Sequence, residues 1–170
     1  MMAALHFVIP LFFPAGMALA ASMDLLTMTI PNHLCLGLAL GYVAIATFFG
    51  VPAGDVATNL SCGVVTLGLA FGPFSIGWIG GGDAKLAAAT AVWLGWGSII
   101  NFGLSSAVYG GFLTLAVLLG RYTLPPWLAR HGWIARLRDP SAGVPYGIAL
   151  AGAGLLAYPQ SEIWQKLATG

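Results

Sequence analysis

Charge is what this chain has least of. Only 6% of its 170 residues are Asp, Glu, Lys or Arg, against 59% hydrophobic, where a soluble domain carries about 25% charged residues. So little polar sequence excludes a separate soluble domain. It leaves an all-α, polytopic integral membrane helix bundle of about six transmembrane helices, a single membrane-embedded domain over residues 1–170. Basic residues interleaved with aromatics are also missing outside one short loop, which excludes a nucleic-acid surface. The net charge of +1 points to no other partner. Cysteine is scarce as well. Cys35 and Cys62 sit inside apolar runs, with neither a CxxC pair nor a histidine at ligand spacing. That excludes a zinc site and a disulfide framework and leaves two small core residues.

What is there is apolar sequence in lengths that cross a hydrocarbon layer of roughly 30 Å at about 1.5 Å per residue. Residues 5–23 form the first stretch. Ala18-Leu19-Ala20 resembles a signal cleavage site, but no Lys or Arg precedes it, so the stretch reads as a retained span. Asp24 closes it. A connector over residues 25–33 follows, in which Pro31 of Ile30-Pro31-Asn32 forces an extended residue before it and suits a first helical turn, marking re-entry into the membrane. Asn32 and His33 then fall at the interface, and His6 reads as an interfacial side chain. Further spans are expected at 34–49, 56 to about 78, 84–102, 104–120 and 144–158. A Pro/Gly turn at 50–55 leaves Asp55 solvated.

The hydrophilic connector 121–143 carries Arg121, Arg130, Arg136 and Arg138, and basic loops stay in the cytoplasm. Six crossings then put both termini outside and Lys85 inside, with Lys166 alone among the basic residues outside. The connector itself reads as a solvated positive-inside loop. Trp78, Trp127, Trp133 and Trp164 fall near the interfaces, as an aromatic belt does.

Gly80-Gly81-Gly82-Asp83-Ala84-Lys85 stands out because it sets two charges into apolar sequence. An acid at the edge of such a run is costly unless it acts, and glycines let another chain approach closely. The plain alternative is a flexible loop whose Asp and Lys are solvated. Topology adds weight to the first reading. Asp24 ends the first span at the inner face, and Asp83 opens the fourth at that same face. Asp139 reads as a turn residue and Glu162 lies on the outer side. Two carboxylates at close range cannot both ionise comfortably, so one keeps a proton. This is the state that hydrolyses a peptide: the ionised member takes a proton from water while its partner donates to the carbonyl oxygen. No metal or cofactor is required. Helix dipoles favour charge on Asp83, at a helix N-terminus, and the proton on Asp24, at a C-terminus.

An aspartate ending an early span, an Ile-Pro-Asn connector, then Gly-x-Gly-Asp-x-Lys, together resemble the type IV prepilin leader peptidases. Pro145-Tyr146-Gly147 is similar to the Pro-aromatic-Gly element near the end of that family's membrane domain. The resemblance covers essentially the whole chain. It implies an inner-membrane aspartic peptidase that removes the short basic leader of pilin-like precursors, cutting after a glycine at the cytoplasmic boundary. Asp24 and Asp83 are then the catalytic pair. Gly80 and Gly82 give the loop its close approach to substrate, and Lys85 positions the loop or its acid. Pro145, Tyr146 and Gly147 carry over as wall of the site or as helix packing. Larger relatives add paired CxxC motifs and methylate the new amino terminus; this chain resembles the short form of Flp/Tad pilus systems, expected to cleave without S-adenosylmethionine. The implied partners are a prepilin and the lipid bilayer.

A pilin precursor's leader is held by the anionic inner leaflet, and its apolar segment packs on Gly/Ala-rich helix faces. Gly37, Gly41, Gly63, Gly68, Gly95 and Gly97 offer such approach, or else pack this chain's own helices. Two rival classes remain. In a proton-coupled transporter or channel the acids mark an ion path, though both lie at one face and no internal repeat is visible. A non-catalytic assembly factor would bind pilins without cutting them.

Overall fold

The computed structural model describes residues 9–123, 132–139 and 143–169, and among these it is helical with no strand. His6, Trp127 and Arg130 lie outside the described residues, as does the side chain of Arg138. A turn at Ile9–Leu11 leads into α1 (Phe12–Thr27), followed by α2 (Asn32–Phe48) and α3 (Ala53–Ser75). Pro31 and Pro52 stand immediately before α2 and α3 with extended ψ of 140° and 139°. There their fixed φ suits the approach to a helix, and no ladder bond is lost. Ile9–Thr27, Ala53–Ser75 and Gly81–Thr123 are long and apolar enough to cross a membrane, and Asn32–Phe48 is a shorter apolar helix. The protein is an all-α membrane helix bundle, as its composition implies.

Gly81–Thr123 runs for 43 residues, which as a straight rod would be about 64 Å, twice the hydrocarbon core. It is not straight. Gly95 has φ 66° and ψ −179° inside it, a conformation that glycine takes at little cost. Asp83 and Thr114 line the same cavity, so the chain doubles back at Gly95 into α4 (81–94) and α5 (96–123). The sequence reading put this break at Gly103, which instead sits within α5 with open space beside it. Gly95 is also crowded. A Cβ there would lie 2.6 Å from Asn59 Oδ1, and Asn59 is itself held by donating to the Tyr42 hydroxyl at 2.7 Å. Gly95→Ala is therefore expected to destabilise the protein by about 1–3 kcal/mol, read as a lowered melting temperature in detergent.

Three shorter helices complete the bundle: α6 (Gly132–Arg138), α7 (Gly147–Ala157) and α8 (Glu162–Thr169). Trp93 of α4 gathers one end. Its ring lies 5.2 Å from Phe13, 5.6 Å from Tyr42 and 6.0 Å from Tyr158, and its indole N–H donates to the Leu38 carbonyl at 2.9 Å. Such ring pairs contribute about 0.5–1.5 kcal/mol each beyond burial, and these tie α1, α2, α4 and the end of α7 together. At the same end Lys166 stands 3.6 Å from Asp55, so Asp55 faces a cation. Both cysteines are buried and unbridged. Of the six glycines considered for helix approach, Gly41, Gly63 and Gly95 meet Phe12, Val92 and Asn59, whereas Gly37, Gly68 and Gly97 have open space beside them.

Candidate active site

The opposite end of the bundle collects every motif singled out in the sequence. Asp24 lies in the last turn of α1 and is 5% exposed. One of its carboxylate oxygens accepts the N–H of Gly147 at 2.7 Å. Gly147 is the first residue of α7, a helix with no side-chain cap of its own. Asp24 thus satisfies, from another helix, one of the amides that every helix start leaves unpaired. This fixes the carboxylate relative to α7.

Asp83 is the third residue of α4, and its carboxylate turns back onto the backbone amide of Gly80. That is the reciprocal half of a capping box, in which an acid at the third position closes the first turn. A Cβ on Gly80 would lie 3.0 Å from the same carboxylate, so the glycine leaves room for it. Asp24 and Asp83 line one cavity of about 680 Å³, whose wall also includes Met28, Trp78, Thr114 and Tyr146. Helix dipoles favour charge on Asp83, and each carboxylate accepts one backbone amide, Asp24 that of Gly147 and Asp83 that of Gly80, so the amides do not separate the two acids.

Ile30 joins the motifs. A Cβ on Gly82 would lie 3.1 Å from Ile30 Cβ, and one on Gly147 would lie 2.7 Å from Ile30 Cδ1. The buried Ile30 side chain is therefore wedged between the glycine loop and the start of α7, and both glycines are needed for that fit. Lys85 is exposed and donates to Asn32 Oδ1 at 2.8 Å, tying the start of α2 to the N-terminal part of α4. Pro145 is fully buried. Tyr146 lines the cavity and also packs, since its hydroxyl donates to the Ser106 carbonyl at 2.9 Å and its ring lies over Gly110. Gly147 is a donor to Asp24 more than a wall.

The basic connector, expected as a solvated loop, is docked where it is described. Arg121 donates from Nε to the Leu137 carbonyl at 2.9 Å and from Nη2 to the Gly143 carbonyl at 3.3 Å. Arg136 donates to the Leu26 carbonyl at 2.6 Å. Leu26 is in the last turn of α1, whose carbonyls lack helical partners, and a guanidinium with five donors suits such groups. Lys85, Arg121 and Arg136 gather at the site end and Lys166 at the other, the asymmetry on which the orientation was read.

Sequence reasoning missed Met28 and Thr114, and took Trp78 only as an interfacial ring. Thr114 lies inside an apolar run with nothing to mark it. Trp78, two residues before Gly80, had proximity as its signal.

A polytopic helical membrane protein that brings carboxylates from two helices into one cavity at one end is the class defined here. Residues 11–115, more than half the chain, match the model of the type IV leader peptidase family, and the chain belongs to that family. It is similar to the prepilin leader peptidase/N-methyltransferase of Aeromonas hydrophila, 32% identical over 126 residues that cover 67% of this chain and 43% of the relative. The protein of the same name from Aeromonas salmonicida strain A449 matches with the same identity and coverage. The chain spans less than half the length of the curated relatives it matches. No solved structure matches it.

Proposed function

We propose that residues 1–170 act as a single membrane-embedded aspartic endopeptidase domain. It removes the short basic leader of Flp-type prepilins at the cytoplasmic face of the inner membrane and leaves the new amino terminus unmethylated. The observation that carries the reading is the shared cavity of Asp24 and Asp83 in a chain of the leader peptidase family. The ionised carboxylate takes a proton from water as its oxygen attacks the scissile carbonyl, and the protonated partner donates to the carbonyl oxygen. The tetrahedral diol then collapses, and the leaving nitrogen takes a proton from the pair. Gly80 leaves room for the Asp83 carboxylate and Gly82 for the buried Ile30, in place of the substrate approach expected of them, and Lys85 holds the loop through Asn32. The unmethylated product is what the likeness to the short form of the family implies.

The protein reconstituted in liposomes with an Flp-type prepilin and S-adenosylmethionine tests this. Intact mass is expected to show the leader gone and the mature amino terminus free. An uncut precursor bound to the protein would leave an assembly factor, uncut precursor with proton flux a transporter, and a methylated product would overturn the short-form reading.

A further inference from the structure

Asp24 is held at two points, and both braces run back to α5. The first acts on its side chain. The carboxylate accepts the Gly147 amide at 2.7 Å, and Tyr146, one residue earlier, is pinned to α5 where its hydroxyl donates to the Ser106 carbonyl at 2.9 Å. The second acts on its backbone. Leu26, two residues after Asp24, has one of the carbonyls that the end of α1 leaves without a helical partner, and it accepts Nη1 of Arg136 at 2.6 Å. Arg136 sits on α6, which the buried Ile134 seats on the bundle. The next carbonyl along α6, that of Leu137, accepts Nε of Arg121 on α5 at 2.9 Å. A chain of contacts thus runs from α5 through Arg121, α6 and Arg136 to the helix end that carries Asp24. None of Arg121, Arg136, Leu137 and Leu26 lines the cavity, so the arginines act on Asp24 and not on what enters.

That helix end needs a brace. Met28 is the one non-glycine residue with positive φ among the described residues, at φ 54° and ψ 29°, a region that side chains other than those of Asn and Asp rarely adopt. Its amide donates to the Asp24 carbonyl at 2.8 Å, so the peptide of the acid belongs to the strained turn. The Thr27 and Thr29 hydroxyls share a bond of 2.8 Å across it. A turn in so sparsely populated a conformation persists only where its surroundings over-determine it. A guanidinium on the Leu26 carbonyl adds a hold from another helix, and its positive charge suits the negative end of the α1 dipole.

We propose that Arg136, itself held in place by Arg121, is a positioning residue for Asp24: it fixes the end of α1 so that the carboxylate seated on Gly147 stays in register with Asp83. The proposal rests on the peptidase reading. Arg121 suits its part because one guanidinium reaches two carbonyls, Leu137 from Nε and Gly143 from Nη2 at 3.3 Å, which a lysine cannot do in that fixed fork. Arg136 makes a single bond to Leu26, which a lysine can make.

Steady-state cleavage of an Flp-type prepilin by the protein in liposomes tests it. Arg136→Met keeps an unbranched stem and removes every donor; it and Arg136→Ala are expected to lower kcat by about ten-fold or more, with KM changed by less than about two-fold. Arg136→Lys should recover most of the loss. Arg121→Ala should reproduce it, and the double variant Arg121→Ala with Arg136→Ala should be no worse than the poorer single one, because losses along one chain do not multiply. Lys166→Ala, at the other end of the bundle, should leave both constants unchanged. Wild-type kcat in Arg136→Met and Arg136→Ala, or a loss confined to KM, overturns the proposal, and multiplied losses in the double variant overturn the link through Arg121. Asp83→Asn in the same assay keeps the two ideas apart. If it cuts as wild type does, the peptidase reading fails and the proposal with it; if it is inert, the arginine variants judge the proposal alone.

Discussion

Asp24→Asn and Asp83→Asn are each expected to abolish leader removal, lowering the rate by about a thousand-fold or more, because each removes one half of a two-carboxylate acid–base pair. The amide is nearly the same shape. In Asp24→Asn its carbonyl oxygen can still accept from the Gly147 N–H that now binds the carboxylate at 2.7 Å, and in Asp83→Asn it can still turn back to Gly80. Both variants should therefore keep the wild-type melting temperature while losing activity. Asp24→Ala should behave differently. It leaves a buried amide at the start of α7 unpaired, which costs about 1–3 kcal/mol, so stability falls along with activity. Cleavage of a prepilin followed by gel and mass, beside thermal melts in detergent, distinguishes the chemical loss from the structural one.

The second large effect is expected at a residue with no chemistry of its own. A Cβ on Gly147 would lie 2.8 Å from Asp24 Oδ2, 3.1 Å from Asp24 Cβ and 2.7 Å from Ile30 Cδ1. Ile30 is buried and already wedged against Gly82, so the carboxylate is the part that has to move. Displacing a catalytic group by about 1 Å can cost about a hundred-fold in rate. Gly147→Ala is accordingly expected to reduce kcat by about that factor with KM changed far less. Gly152→Ala, in the same helix, meets only Tyr109 at an ordinary 3.7 Å and should cleave like wild type. Equal losses in both variants would mean that α7 tolerates no alanine anywhere and that Gly147 has no special tie to Asp24.

The fold class was legible because the apolar runs are continuous and about as long as a helix that crosses the bilayer: in lipid such a run satisfies its backbone polar groups within itself as a helix, whereas a barrel strand would be short and alternating. The pairing of Asp24 with Asp83 was legible through topology, since an even number of crossings between them returns the chain to the same face. The turn at Gly95 was not. Glycine is frequent in membrane helices, and nothing local separates Gly95, which turns, from Gly103, which continues the helix; what distinguishes them is the neighbourhood, since Asn59 packs against Gly95 while Gly103 has open space beside it. The docking of Arg121 and Arg136 was hidden for a similar reason. A basic loop reads as solvated until the carbonyls it reaches, at Leu26, Leu137 and Gly143, are known. Met28 was invisible because a strained φ leaves no mark on a sequence when the residue that carries it is ordinary.

Cross-linking in the native membrane tests the central claim most directly, namely that Asp24 and Asp83 meet in one cavity at one end of the bundle. In a background with Cys35 and Cys62 replaced by alanine, Asp24→Cys combined with Asp83→Cys should be joined efficiently by a short thiol cross-linker. Asp24→Cys combined with Asp55→Cys, whose second site lies at the other end beside Lys166, should not. No bridge in the first pair, or an equally efficient one in the second, would contradict the account.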